Sequence, residues 1–215
     1  MLVETWIKAK TKKKTYAGGA DATAVRSAIR IASLRKWGMW AKDVCTAFLN
    51  ADYIIKGELL VLNPPNVCVK AGLVEEHEYW LVKKAICGLR ETPLLWSIER
   101  EKKMSKMKIK VPSKDDPSKV DIYFLKKLQS DPNTWHILKE GEEEESKALL
   151  LTYVDDILVA TTEEIGNATM KAIDLTWNCS EEEVVQEGSK GVSFCGIVIE
   201  KLPSSYFMRQ KPDTK

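Results

Sequence analysis

The segment from Leu149 to Ala160 constrains the fold more than any other part of the chain. Two apolar runs, Leu149-Leu150-Leu151 and Ile157-Leu158-Val159, flank the more polar Tyr153-Val154-Asp155-Asp156. Short apolar runs around a polar turn read as the two strands of a β-hairpin. Such a hairpin must bury its apolar side chains, so the rest of the chain has to supply partner strands and covering helices. The chain has 215 residues, 44% of them hydrophobic, which is enough for a sizeable core. At about 100–200 residues per domain it makes one large domain or two small ones. No apolar run approaches the roughly 18 residues that a membrane span needs. The opening residues have no apolar run of the kind that marks a secretory signal, and the odd number of cysteines without a C-x-x-C pair suggests reduced thiols in an intracellular protein.

Around the hairpin, helix and strand signals alternate. Asp21 can cap a first helix whose Ala24, Ala28, Ile31 and Leu34 recur at helical spacing, with Gly38 able to end it. A strand candidate follows at 39–44, then a turn into a short helix at 47–50. Leu59–Leu62 and Tyr79–Val82 are further strand candidates. Pro93 behind Thr92 starts a helix to about Met107, with Leu94, Leu95 and Ile98 as its apolar face. Residues 109–147 are polar and loop-rich, with strands possible at Val120–Leu125 and Thr134–Leu138. Thr161-x-x-Glu164 has the form of a capping box. It precedes a helix with Ile165, Ala168, Ala172 and Leu175 as its inner stripe. Phe194–Ile199 reads as a late strand. The order predicts an α+β fold with an antiparallel sheet and helices packed on one face.

Charge and cysteine content exclude several classes. There are 33 basic and 31 acidic residues, so the balance alone points to no partner. Lys8, Lys10, Lys12, Lys13 and Lys14 crowd a basic arm over residues 1–20, readable as a solvated tail or as a phosphate contact. The five cysteines include no C-x-x-C pair, which suggests neither a disulfide framework nor a zinc knuckle. The two histidines, His77 and His136, form no H-E-x-x-H.

Asp155 and Asp156 carry the chemical signal. Adjacent carboxylates repel one another and raise each other's pKa unless a cation lies between them. A hard divalent ion with oxygen ligands is the natural cation. An Asp-Asp turn by itself is also ordinary turn chemistry. Asp43 changes the pattern, because it too ends an apolar strand candidate, in Trp40-Ala41-Lys42-Asp43-Val44. Three such carboxylates could hold two metal ions for an in-line phosphoryl displacement. Phe48 lies five residues beyond Asp43 and could wall the same pocket or serve as a plain core aromatic.

Four blocks, in order, resemble a known family. Lys42-Asp43-Val44-Cys45-Thr46-Ala47-Phe48-Leu49-Asn50 resembles D-V-K-T-A-F-L-N of the Ty1/copia-type retrotransposon reverse transcriptases. Leu81 to Arg90 resembles their L-x-K-A-L-Y-G-L-K block. Leu150 to Val159 resembles L-L-x-Y-V-D-D-I-L-I, and Phe194-Cys195-Gly196-Ile197 resembles F-L-G-I. The agreement runs from about Thr15 to Gln210. It implies an RNA-directed DNA polymerase palm over residues 21–215, with partial fingers and a truncated thumb. Asp43, Asp155 and Asp156 would then be the catalytic ligands of magnesium. Phe48 would be the steric gate in the nucleotide pocket, and Glu91 would stand in the same pocket. Tyr153, Phe194 and Gly196 would lie against the primer. The partners implied are an RNA template, a DNA primer and deoxynucleotide triphosphates, in the cytoplasm.

The chain also departs from that pattern. Glu91 replaces the family Gln and would repel a triphosphate unless Arg90 or a metal compensates. Cys45 stands for the usual Lys, and Cys87 for the usual Tyr. The family's basic fingers residues would fall upstream of residue 1, and the chain stops near the expected palm–thumb boundary. Two readings therefore stand at this point: a reverse transcriptase domain, or a catalytically inactive retroelement fragment that keeps the palm fold and at most binds nucleic acid.

Overall fold

The computed structural model describes residues 18–53, 59–114, 116 and 118–210. The lysine-rich stretch 8–14 lies outside them. Seven antiparallel strands form the main sheet. They are β1 (Gly38–Asp43), β4 (Lys108–Pro112), β5 (Val120–Lys127), β6 (Thr134–Lys139), β7 (Ala148–Tyr153), β8 (Asp156–Thr161) and β9 (Glu183–Val184), in the spatial order β4-β5-β6-β7-β8-β1-β9. A pair of short strands, β2 (Val61–Leu62) and β3 (Trp80–Leu81), makes a separate ribbon. A three-stranded sheet is built from β10 (Val192–Phe194), β11 (Ile197–Leu202) and β12 (Ser205–Gln210). The helices are α1 (Ala22–Arg35), α2 (Asn66–Lys70), α3 (Thr92–Met104) and α4 (Glu163–Asp174), with a 3-10 turn at Ala47–Asn50.

The expected hairpin is present as β7–β8, paired from Ala148↔Thr161 to Tyr153↔Asp156. Its strands are buried on both faces, so they read as continuous apolar runs. On one face Leu150, Ile157 and Val159 pack with Trp96 of α3 and with Ile165, Met170 and Ile173 of α4. On the other, Leu149, Leu151, Leu158 and Ala160 pack with Val25, Ala28, Ile29 and Ala32 of α1 and with Phe194 and Ile199. The fold is therefore mixed α and β with helices on both faces of the sheet, where one covered face was expected. A sheet buried on both sides needs two covers, and α1 supplies the second.

The polar region 109–147 carries the two strands expected at Val120–Leu125 and Thr134–Leu138, and a further one at its start. It folds as β4, β5 and β6, which extend the sheet by three strands beyond the hairpin. Alternation explains why the segment looked polar: Ile109, Val111, Tyr123 and Leu125 face the core while their neighbours face outward.

In α1 and α4 part of the expected face is buried, Ala28 and Ile165 among it, but in each long helix the buried row is shifted from the one expected. In α1, Asp21 accepts a hydrogen bond from the Thr23 amide at 2.7 Å, as a cap should. Its buried stripe is Val25, Ala28, Ile29 and Ala32, however, and Leu34 is exposed. The helix ends at Lys36, which is in the left-handed region, and Gly38 instead begins β1. In α3 the buried row is Thr92, Trp96, Arg100 and Met104, while Ile98 faces out. In α4 it is Ile165, Gly166, Thr169, Met170 and Ile173, and Leu175 is exposed. The capping box does not form. Thr161 ends β8 and donates its hydroxyl to the Lys147 carbonyl, so Thr162 takes the cap position with no side-chain cap bond.

Candidate metal centre

The end of β1 meets the tip of the β7–β8 hairpin. The register pairs Asp43 directly with Asp156, so their side chains leave the sheet on the same face. Asp155 occupies the turn between β7 and β8. One carboxylate oxygen from each of Asp43, Asp155 and Asp156 lies within 4.8 Å of the others, and all three residues are half-buried. The two halves are tied by backbone: the Val44 amide donates to the Asp155 carbonyl at 3.0 Å. Beyond them, the Asp43 amide donates to the Ser180 hydroxyl at 3.0 Å, and the Ser180 amide donates to the Asp43 carbonyl at 2.8 Å.

Burial, and after it the Asp155 charge, push the Asp43 carboxyl above its usual range. Lys42, next in the chain, does not offset this charge. It points to the opposite face, and its ammonium pairs with both carboxylate oxygens of Asp174 at 2.6 Å. Three hard oxygen donors in one cluster fit a divalent cation of the magnesium or manganese type. A cleft beside Asp43 and Asp156 continues past Ser180, Ser193 and Glu183, which adds a fourth carboxylate to its wall.

The hairpin tip is strained. Val154 has φ = 54°, a region that a β-branched residue rarely occupies. Its carbonyl accepts two hydrogen bonds from α3, from the Trp96 indole N–H at 2.7 Å and from Arg100 Nη1 at 2.6 Å. Arg100 is 4% exposed. Burial lowers its pKa to about 10, so the guanidinium remains charged at neutral pH. Its Nη2 donates to the Asn133 side-chain carbonyl at 2.9 Å. Neither Trp96 nor Arg100 was singled out from the sequence. Their spacing with Thr92 and Met104, four residues apart along one helix row, was the available signal.

Tyr153 lies directly opposite Asp156 and packs its ring on Gly19. A methyl group at Gly19 would fall 2.1 Å from that ring. Gly19→Ala is therefore expected to displace Tyr153 and lower stability by about 1–3 kcal/mol, the usual range for overpacking. Thermal denaturation checks this, and an unchanged Tm would mean that the ring swings aside without strain.

The late strand expected at Phe194–Ile199 is two strands. Cys195 (φ 51°) and Gly196 (φ 75°) form a two-residue turn between β10 and β11, and positive φ at both centres is the type I′ signature. The turn abuts the carboxylates, with the Cys195 amide 3.4 Å from Asp156 Oδ2. Gly196 is exposed at this turn, whereas the Phe194 side chain has no exposed surface and belongs to the core. At this place the turn is open to solvent and the Phe194 ring is not, so the ring is a core residue and not the surface contact expected of it. Phe48, on the 3-10 turn after β1, is half-buried against the core cluster that contains Trp96 and Trp177. Glu91 is half-buried at the N-cap position of α3, where its side chain makes no capping bond.

Among the described residues no helix is long and apolar enough to cross a membrane. No family model, no curated protein and no solved structure matches the chain.

Proposed function

We propose that this chain is the palm-centred domain of an RNA-directed DNA polymerase, with Asp43, Asp155 and Asp156 as the ligands of a magnesium pair. The convergence of three carboxylates from β1 and the β7–β8 tip carries this reading. Bound there, the metal would stabilise the attacking and leaving oxygens of an in-line displacement at a nucleotide phosphate. The protein's own part is orientation. The Asp43↔Asp156 register fixes two carboxylates side by side, and the Val44–Asp155 bond fixes the third. Tyr153 and the Cys195–Gly196 turn flank the cluster on the side given to the primer end. Phe48 is assigned to exclusion of a ribose 2′-hydroxyl by bulk.

Glu91 favours a second reading, an inactive retroelement fragment that keeps the fold. It places an anion at a position assigned to a triphosphate pocket. Primer extension on a homopolymer RNA template separates the two, with Asp155→Asn/Asp156→Asn as control. Extension above the control supports the polymerase. Manganese binding that depends on the aspartates, without extension even in Glu91→Gln, supports the fragment. Manganese binding that ignores the aspartates sinks both.

A further inference from the structure

Asp155 sits between two peptide groups that are both held from outside the hairpin. The group after it is held by β1, through the Val44 amide on the Asp155 carbonyl at 3.0 Å. The group before it contains the Val154 carbonyl, held by Trp96 and Arg100. The direction of the Asp155 Cα–Cβ bond follows from these two planes, because the flanking peptides are themselves rigid. Arg100 is an expensive way to build half of this clamp. A buried guanidinium loses hydration, and among the described residues no carboxylate lies within ion-pair distance of it. Its acceptors are neutral, the Val154 carbonyl and the Asn133 side chain. Asn133 in turn donates to the Gly19 carbonyl at 3.1 Å, beside the Tyr153 ring. One cation thus joins the strained tip to the segment that backs Tyr153.

We infer that Arg100 is a positioning residue of the metal centre: through the Val154 carbonyl it holds the 154–155 peptide so that the Asp155 carboxylate faces Asp43. The inference rests on the metal reading above and adds a residue to it. Strain at a site persists only where the surroundings over-determine it, and the two buried donors at φ = 54° are that determination.

The test uses two readouts on the full chain, manganese affinity by calorimetry and the hydrogen-exchange rate of the Val44 amide by NMR. The variants are Arg100→Met, Arg100→Lys and Trp96→Phe, with Asp155→Asn as reference. Arg100→Met is expected to weaken manganese binding by about 10- to 100-fold, the usual effect of losing an outer-sphere partner. It should also speed Val44 exchange relative to the other amides of β1. Arg100→Lys keeps one donor for Val154 and should recover part of both effects. Should Arg100→Met fail to fold, Arg100→Lys and Trp96→Phe decide, each expected to show smaller shifts in the same direction. A folded Arg100 variant with wild-type manganese affinity and wild-type Val44 exchange overturns the inference. If Asp155→Asn binds manganese as well as wild type, the metal reading itself fails. Val44 exchange then decides the clamp alone, supporting it if accelerated and overturning it if unchanged.

Discussion

Asp43→Asn is expected to make the metal-free protein more heat-resistant while removing the response to metal that the proposed centre requires. The Asp43 carboxyl is held above its usual pKa by burial and then by Asp155, so the folded state disfavours its charged form. The sign follows from linkage. A raised folded pKa contributes stability that is fully present below the unfolded value, near 3.8, and is lost as pH rises through the folded value. At neutral pH the wild type carries that penalty and the amide does not. The melting temperature of Asp43→Asn should therefore exceed that of wild type at pH 7, with the gap closing as pH falls toward 4. Manganese should raise the wild-type melting temperature, because a ligand that binds only the folded state stabilises it by mass action. It should leave Asp43→Asn unmoved. Any extension activity should fall by at least roughly a hundredfold to a thousandfold, the scale seen when one preorganised group is removed from a charge-stabilising site. Thermal shift across pH 4–8, with and without manganese, checks each part. A metal-free Asp43→Asn that melts below wild type at pH 7 would show that the cluster is not under charge strain.

Phe194→Ala should lower stability by about 3–5 kcal/mol, the range for deleting a buried aromatic ring. For a chain of this size that is a fall in Tm of roughly 6–20 °C. The ring is fully buried and packs in the cluster that joins α1 to β11. Its loss should also loosen the Cys195–Gly196 turn from Asp156, because Phe194 is the last residue of β10 before that turn. Chemical denaturation measures the first effect. A protein of unchanged stability but weakened primer binding would instead return Phe194 to direct contact with nucleic acid.

Phe194 also shows where reading from sequence stops. A ring in a motif block is equally consistent with a contact surface and with a core, and burial decides between them. The β7–β8 hairpin was legible because two apolar runs met at a polar turn, a signal local to twelve residues. The approach of Asp43 to it was legible from its place at the end of another apolar strand candidate and from the motif resemblance, since nothing local brings residue 43 to residue 156. The helix faces were misread at their edges. Leu34, Ile98 and Leu175 were counted as core and are exposed, whereas the sheet took up Ala32 in α1, Trp96 and Arg100 in α3, and Gly166 in α4. Gly166 is needed because a methyl group there would lie 2.8 Å from the Trp40 ring. Arg100 sits in Glu99-Arg100-Glu101-Lys102-Lys103, a run that resembles a solvated helix surface. The β10–β11 turn was missed because Cys195 is an unusual residue at positive φ, and Gly196 alone marked it.

The place of β1 in the sheet governs when this centre can exist during synthesis. The β7–β8 hairpin closes through neighbours in sequence, on a timescale of about 1–10 μs. It carries Asp155 and Asp156 with it. Asp43 is translated far earlier, yet its strand fits between β8 and β9, and its amide meets Ser180 across 137 residues of chain. Contacts of such long sequence separation close slowly, because chain entropy is lost before they form. On a ribosome adding about 5–20 residues per second, β1 waits several seconds for its partners as an exposed apolar strand. Its Met39, Trp40 and Ala41, all buried in the finished fold, are then open to chaperones or to another nascent chain. The carboxylate cluster is thus among the last features to assemble, and a ribosome stalled before residue 156 would display the first aspartate with no centre to join.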